Sequence, residues 1–209
     1  MLRIALPLAF SAYARSALST LEHLLVPRGL KSAGFSADRA LSGYGTIQGM
    51  VMPIISFPAC FLMALSELMI PELTEAQMRG ERAEISHTVR SLLKKGSGYS
   101  LAVALAIFIF ADRLGIAVYS SPEAGHFLRL LAPLIPIMYT DMLCDGCLKG
   151  LGQQMWNMGI NVLDALLGVL LVWRVLPVYA LTGYICIIYF NECLNFALSM
   201  LRLRKVIRS

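Results

Sequence analysis

LAVALAIFIFA, residues 101–111, holds no charge and no polar side chain, and its large residues do not alternate with small polar ones. A membrane strand facing lipid on one side must alternate with a period of two, so this run excludes a closed barrel and reads as helix. LLGVLLVW, residues 166–173, has the same character. A helix needs about 20 apolar residues to cross roughly 30 Å of hydrocarbon. Working outward from these two runs, six segments meet that length: residues 4–26, 45–70, 98–118, 127–148, 158–175 and 182–201. Of the 209 residues, 57% are hydrophobic and 15% charged, with a mean hydropathy of +0.68. A water-soluble surface is hard to build from that balance, so the expected fold class is all-α, a polytopic membrane protein with a six-transmembrane-helix bundle in a single lobe, 1–209.

The amino end imitates a secretory signal, since MLRIALPLAFSAYA ends in Ala-x-Ala. Apolar character resumes beyond Arg15, however, and the segment is expected to stay in the membrane. The five cysteines (Cys60, Cys144, Cys147, Cys186 and Cys193) all fall in apolar segments and imply packing, not disulfides. CDGC, residues 144–147, has the spacing of half a zinc site, but no second pair or nearby histidine completes it. No metal and no cofactor is expected.

With six crossings, the amino end, the second and fourth connections and the carboxyl tail share one side of the bilayer. Eleven of the eighteen basic residues lie there: Arg3, Arg79, Arg82, Arg90, Lys94, Lys95, Lys149, Arg202, Arg204, Lys205 and Arg208. The other side has Arg28, Lys31, Arg39, Arg113, Arg129 and Arg174. Basic residues favour the cytoplasm, which predicts a multi-pass protein of the cell membrane with both termini inside. The connection at 72–97 carries Ile85, Val89, Leu92 and Leu93 at helical spacing among charges, as an amphipathic helix on the inner leaflet would, or a solvated linker with helical ends. The net charge of +5 collects in this connection and in the tail, where anionic lipid head groups are its natural partner. No nucleic-acid partner is needed. Pro7, Pro53, Pro58, Pro133 and Pro136 fall in or beside the segments; bends at such positions serve either packing or motion.

The chemistry lies in the polar residues that these segments carry. A charge at mid-membrane costs at least about 2.5–3.5 kcal/mol, so it faces a partner or a cavity. Arg15 sits at the centre of the first segment, and Ser11, Arg15, Ser19 and Glu22 fall on one helical face. Matching groups occur in the fourth segment (Asp141, Asp145), the fifth (Asn157, Asn161, Asp164) and the sixth (Asn191, Glu192, Asn195). One reading makes Arg15 and Glu192, or another acid, a buried ion pair that fixes helix register. The other makes Arg15 a cavity cation for an anionic substrate, because guanidinium keeps its charge at any depth and grips phosphate oxygens through two bonds. The acids Asp141, Asp164 and Glu192, with Asn161 and Asn195, are then candidates for cavity lining or ion coupling. His23 reads as an interfacial group and His87 as an exposed one.

Three stretches carry a family resemblance: LPLAFSAYARSALSTLEHLLVPRGL (6–30), YGTIQGMVMPIISFPACFLMALSELMIPELTEAQMRGE (44–81) and GLGQQMWNMGINVLDALLGVLLVW (150–173). In their order and spacing the chain resembles the stage V sporulation protein B-like branch of the multidrug/oligosaccharidyl-lipid/polysaccharide (MOP) flippase superfamily. The most specific part is ELMIPELTEAQMRGE, residues 67–81. What the resemblance implies is a transporter, not an enzyme, of two six-helix lobes around a central cavity. It would move a lipid-linked saccharide precursor, as in polysaccharide or cell-wall synthesis, from the inner to the outer leaflet. The chain would be the second lobe, and Arg15 matches in position the cavity arginines of related lipid flippases. Full members have a preceding lobe, and many have two helices beyond the point where RLRKVIRS stops. The chain therefore resembles an internal piece whose expected partners are the bilayer, the lipid-linked saccharide, and the missing first lobe or another six-helix half.

Rival functions differ in their side chains. A multidrug or cation antiporter of the same superfamily would favour a carboxylate over a central arginine. A membrane phospholipid-headgroup transferase would need Asp-Gly-x-x-Ala-Arg where DMLCDGCLKGLGQ (141–153) has Lys149 and Gly150. A non-transporting membrane subunit would only pack against other helices.

Overall fold

A computed structural model describes residues 2–32, 34 and 36–208; the side chains described are those other than 2–9, 11, 37, 39, 40 and 208. Every element among the described residues is helical. In chain order they are α1 (Leu2–Ser32), α2 (Ala37–Thr46), a π turn (Ile47–Val51), α3 (Met52–Arg79), α4 (Arg82–Tyr119), α5 (Pro122–Leu131), a 3-10 turn (Ala132–Leu134), α6 (Ile135–Gly150) and α7 (Gln154–Arg208). Large apolar side chains point outward along them: Phe57 is 81% exposed, Ile109 66% and Trp173 60%. Water would not tolerate such a surface, but acyl chains do.

Four helices among the described residues are long and apolar enough to cross a membrane: Leu41–Arg79, Arg82–Tyr119, Pro122–Gly150 and Gln154–Ile207. The sequence pattern points to six separate helices, of which the described residues show four stretches that meet the length and composition of a span. The 72–97 connection is not a separate surface helix. Its first part ends α3 at Gly80, whose left-handed φ of 74° suits glycine and whose N–H closes the helix on Ala76 O and Gln77 O. Its second part is the start of α4, which runs unbroken into the third apolar segment. The stripe on α4 is covered by protein: Ile85, Val89 and Leu92 are buried. The fifth and sixth segments lie in two helices, the limbs of α7, which meet at Ala180, where the backbone is not helical (φ 52°, ψ −137°). The chain doubles back there, since a Cβ placed on Gly168 would lie 3.0 Å from Asn191 Nδ2. Residues 23 apart along one straight helix would be about 34 Å apart.

The chain divides into two compact units. One comprises residues 1–45 and 155–195, so α1, nearly all of α2, the first limb of the α7 hairpin and its second limb as far as Asn195. Leu176 packs into the space left by Gly29, and Leu181 into that left by Gly43.

The other unit comprises residues 46–154 and 196–209. Its core is formed by side chains such as Ile55, Leu62, Leu73, Leu128, Leu143 and Leu148. Within it α6 lies against α3 through Gly146 and Gly150, a pair of small residues four apart that lets two backbones approach closely. A Cβ on Gly146 would overlap Ser66 Oγ, and one on Gly150 would stand 3.0 Å from Leu73 Cβ and 3.1 Å from Ile70 O. Polar side chains hold the same seam: Ser66 Oγ donates to Met142 O at 3.3 Å, and Thr74 Oγ1 reaches Gly150 O at 2.8 Å. Around Pro58, which lacks an N–H for the backbone ladder, Tyr139 Oη donates to Ile55 O at 2.5 Å and Tyr99 Oη to Pro58 O at 3.0 Å. The second close approach joins α4 and α5, where a Cβ on Gly115 would stand 2.5 Å from Gly125 N. Charges on α4 collect at its ends, with Arg90, Lys94 and Lys95 towards one and Asp112 and Arg113 towards the other. Asp112 accepts from Arg129 at 2.5 Å.

Candidate functional site

Arg15 lies midway along α1, with Ser19 one turn on and Ser16 and Thr20 on the adjoining strip of the same helix. Across from them the first limb of α7 presents Met158, Asn161 and Val162, and the two surfaces enclose an open groove of about 450 Å³. Arg15 is exposed to this groove, and among the described residues it forms no salt bridge. Two of the lining side chains bond to backbone carbonyls one turn earlier on their own helices. Thr20 Oγ1 donates to Ser16 O at 2.9 Å, and Asn161 Nδ2 donates to Asn157 O at 2.9 Å. Asn157 is only 2% exposed, so it serves as the buried support of Asn161. The arrangement is a fixed cation flanked by hydroxyls and an amide, a donor set suited to an oxyanion carrying polar substituents.

Further along the same unit, carboxylate and amide groups gather where α1 and the two limbs of α7 meet. A Cβ on Gly168 would lie 3.0 Å from Asn191 Nδ2 and 3.2 Å from Glu22 Oε2, so glycine is what admits both side chains. Asp164, one turn before Gly168, is close enough to feel the charges of both Glu22 and Arg15. Its Oδ1 is buried and without a hydrogen-bond partner among the described residues, as is Asn191 Oδ1. Beside this cluster His23 Nδ1 and Tyr44 Oη are hydrogen-bonded, and the Tyr44 ring meets Tyr184 edge-on with centroids 5.6 Å apart.

Of the residues singled out in the sequence, Arg15, Ser19 and Asn161 line one groove, while Glu22 and Asp164 meet beside it. The side chain of Ser11 lies outside the described residues. Glu192 and Asn195 are half-buried on the second limb of α7, in the same unit. Asp141 and Asp145 belong to the other unit, where Asp141 is buried and Asp145 accepts from Ser199 Oγ at 3.4 Å. Ser16 and Thr20 are the groove residues that the pattern missed. A stripe traced through positions 11, 15, 19 and 22 follows one narrow face, whereas the groove is wide enough to take in the neighbouring strip. Cys144 and Cys147 are fully buried on α6, and among the described residues no three His, Cys, Asp or Glu side chains gather as metal ligands.

The family pattern named MatE matches residues 32–173, more than half of the chain. The chain belongs to the MatE family. MatE proteins are membrane transporters, in keeping with the outward-facing apolar surface of this one. Two curated relatives are similar to this MatE chain, both from Bacillus subtilis (strain 168). Sporulation protein YkvU is 28% identical over 73% of the chain and 34% of its own length. Stage V sporulation protein B is 22% identical over 81% of the chain and 32% of its own length. Both names agree with the sporulation branch to which the sequence stretches point. The MatE chain spans about a third of the length of these relatives. No solved structure matches it.

Proposed function

We propose that this MatE chain is a six-crossing lobe of a flippase that carries a lipid-linked saccharide precursor across the cell membrane, with Arg15 holding the diphosphate. The single observation that supports this reading is a guanidinium in an open groove among hydroxyls and an amide, with no salt bridge among the described residues. Desolvating such a charge opposite lipid would cost several kcal/mol, so a water-filled groove is the consistent setting. Guanidinium binds phosphate oxygens in pairs, Ser16, Ser19 and Asn161 offer hydrogen bonds to a sugar, and the isoprenoid tail stays in the bilayer. The six crossings are α1, α2 with α3, α4, α5 with α6, and the two limbs of α7. Both termini then lie on the cytoplasmic side, where most basic residues fall. An even number of crossings brings a second lobe into a parallel repeat, and rocking of the two lobes exposes the head group outward. One charge crossing 100 mV contributes about 2.3 kcal/mol of bias, and Glu22 and Asp164 are the carboxylates placed to take part in ion coupling.

The same two carboxylates favour a second reading, antiport of an organic cation. One binding experiment on the purified chain in nanodiscs separates the two. A polyprenyl diphosphate saccharide is expected to bind at least about tenfold tighter than the uncharged polyprenol of equal length, the difference that one charge-assisted hydrogen bond confers. Equal binding of the two would contradict the flippase reading, and saturable binding of a lipophilic cationic dye in their place would support antiport.

A further inference from the structure

We propose a second binding site, for a phosphate-bearing anionic membrane lipid, in the unit that does not contain Arg15. A pocket of about 640 Å³ lies between the first turns of α4 and the last turns of α7, within the roughly 300–1,000 Å³ typical of ligand sites. Arg90 and Lys94 reach it from α4, one turn apart, and Arg204 from α7. All three are exposed, and among the described residues none forms a salt bridge. Their surroundings explain why. No acidic residue occurs in α4 between residues 85 and 111, or in the chain after Glu192. On neighbouring α6, Asp141 is buried and Asp145 accepts from Ser199 Oγ at 3.4 Å, and neither lines the pocket. Three like charges thus line one pocket that has no acidic residue in its lining, and an external anion lowers their mutual repulsion.

The pocket is more than a basic patch, because Phe196, Met200 and Leu203 form one wall of it on α7. Hydrated inorganic phosphate gains nothing from such a wall, whereas the first carbons of an acyl chain do. Basic pockets between membrane helices take anionic lipid head groups for this reason. The ligand class that fits both halves is a phosphodiester with an apolar tail, and phosphatidylglycerol is the suitable probe. The site draws on no residue of the Arg15 groove, so it stands or falls independently of the flippase reading.

The test is native mass spectrometry of the whole chain in neutral detergent, titrated with phosphatidylglycerol and, in parallel, phosphatidylcholine. Phosphatidylglycerol is expected to bind at least about tenfold tighter. R90Q/R204Q removes that preference, while R113Q/K149Q, which deletes the same charge on exposed positions away from the pocket, changes it less than about twofold. R90K/R204K, which keeps charge and bulk, holds binding within about threefold and answers the objection that the glutamine variant is simply misfolded. Equal losses in the two glutamine variants would overturn the proposal, since charge anywhere would then suffice. Complete displacement of the lipid by millimolar inorganic phosphate would also overturn it, because the apolar wall would be contributing nothing.

Discussion

Replacing Arg15 with alanine is expected to weaken binding of a polyprenyl diphosphate roughly 10–100-fold, the equivalent of about 1.5–3 kcal/mol for hydrogen bonds to a charged group. The effect is large because the groove offers the anion no other cation: Ser16, Ser19, Thr20 and Asn161 are all uncharged. R15K should fall between the two. It keeps the charge but replaces a planar fork by a point charge, so it retains attraction while losing two-bond geometry. Removing Arg15 is also expected to leave the fold intact, because the side chain is exposed and makes no salt bridge among the described residues. Isothermal titration in detergent, with thermal unfolding measured on the same samples, separates the two effects. Undiminished affinity in R15A would remove Arg15 from the site, and a large fall in thermal stability would restore the ion-pair reading.

The second large effect is on folding. Enlarging Gly146 to leucine is expected to destabilise the α3–α6 unit by about 3 kcal/mol, the upper part of the range for forcing bulk into a closely packed contact. For a chain of this size that corresponds to a fall of roughly 6–12 °C in midpoint temperature. The cost arises because even a Cβ at this position would overlap Ser66 Oγ, and α3 cannot withdraw without losing the bond from Ser66 to Met142 O. The paired change G146A/S66G reopens the space and should recover most of the loss relative to G146A alone. A midpoint for G146L within about 2 °C of the parent would show that α3 and α6 leave room for a side chain between them.

Composition and periodicity carried the fold class, since apolar runs without alternation leave helix as the membrane-compatible choice. They also placed Arg15, Ser19 and Asn161 where a shared groove could form, because the cost of a buried charge forces polar residues to face one another. What they did not disclose depends on distance between segments. That Gly168 admits Glu22 and Asn191 from two other helical segments follows from three-dimensional approach, and nothing in the local pattern marks it. The reversal at Ala180, by contrast, falls in the gap between the fifth segment, ending at 175, and the sixth, starting at 182; only its form, a single residue at positive φ, has no mark in the pattern. The stripe on the 72–97 connection had the right period but an ambiguous partner. Apolar residues repeating at helical spacing do not say whether lipid or protein covers the face they form, and in this fold protein buries Ile85, Val89 and Leu92.

The role of Arg15 as a cavity cation requires that the groove beside it hold water while the chain is in a bilayer. Thiol reactivity at Ser16 tests this most directly. With the five native cysteines replaced, S16C in proteoliposomes should react readily with a small water-borne thiosulfonate applied to both faces, because the thiolate that reacts forms only in water. F57C, on a side chain 81% exposed to the apolar surround, provides the lipid-facing reference and should react at least about a hundredfold more slowly. Reaction of S16C at the slow rate of F57C would mean that Arg15 stands in a dry setting, and would contradict its role as the cation of a water-filled groove.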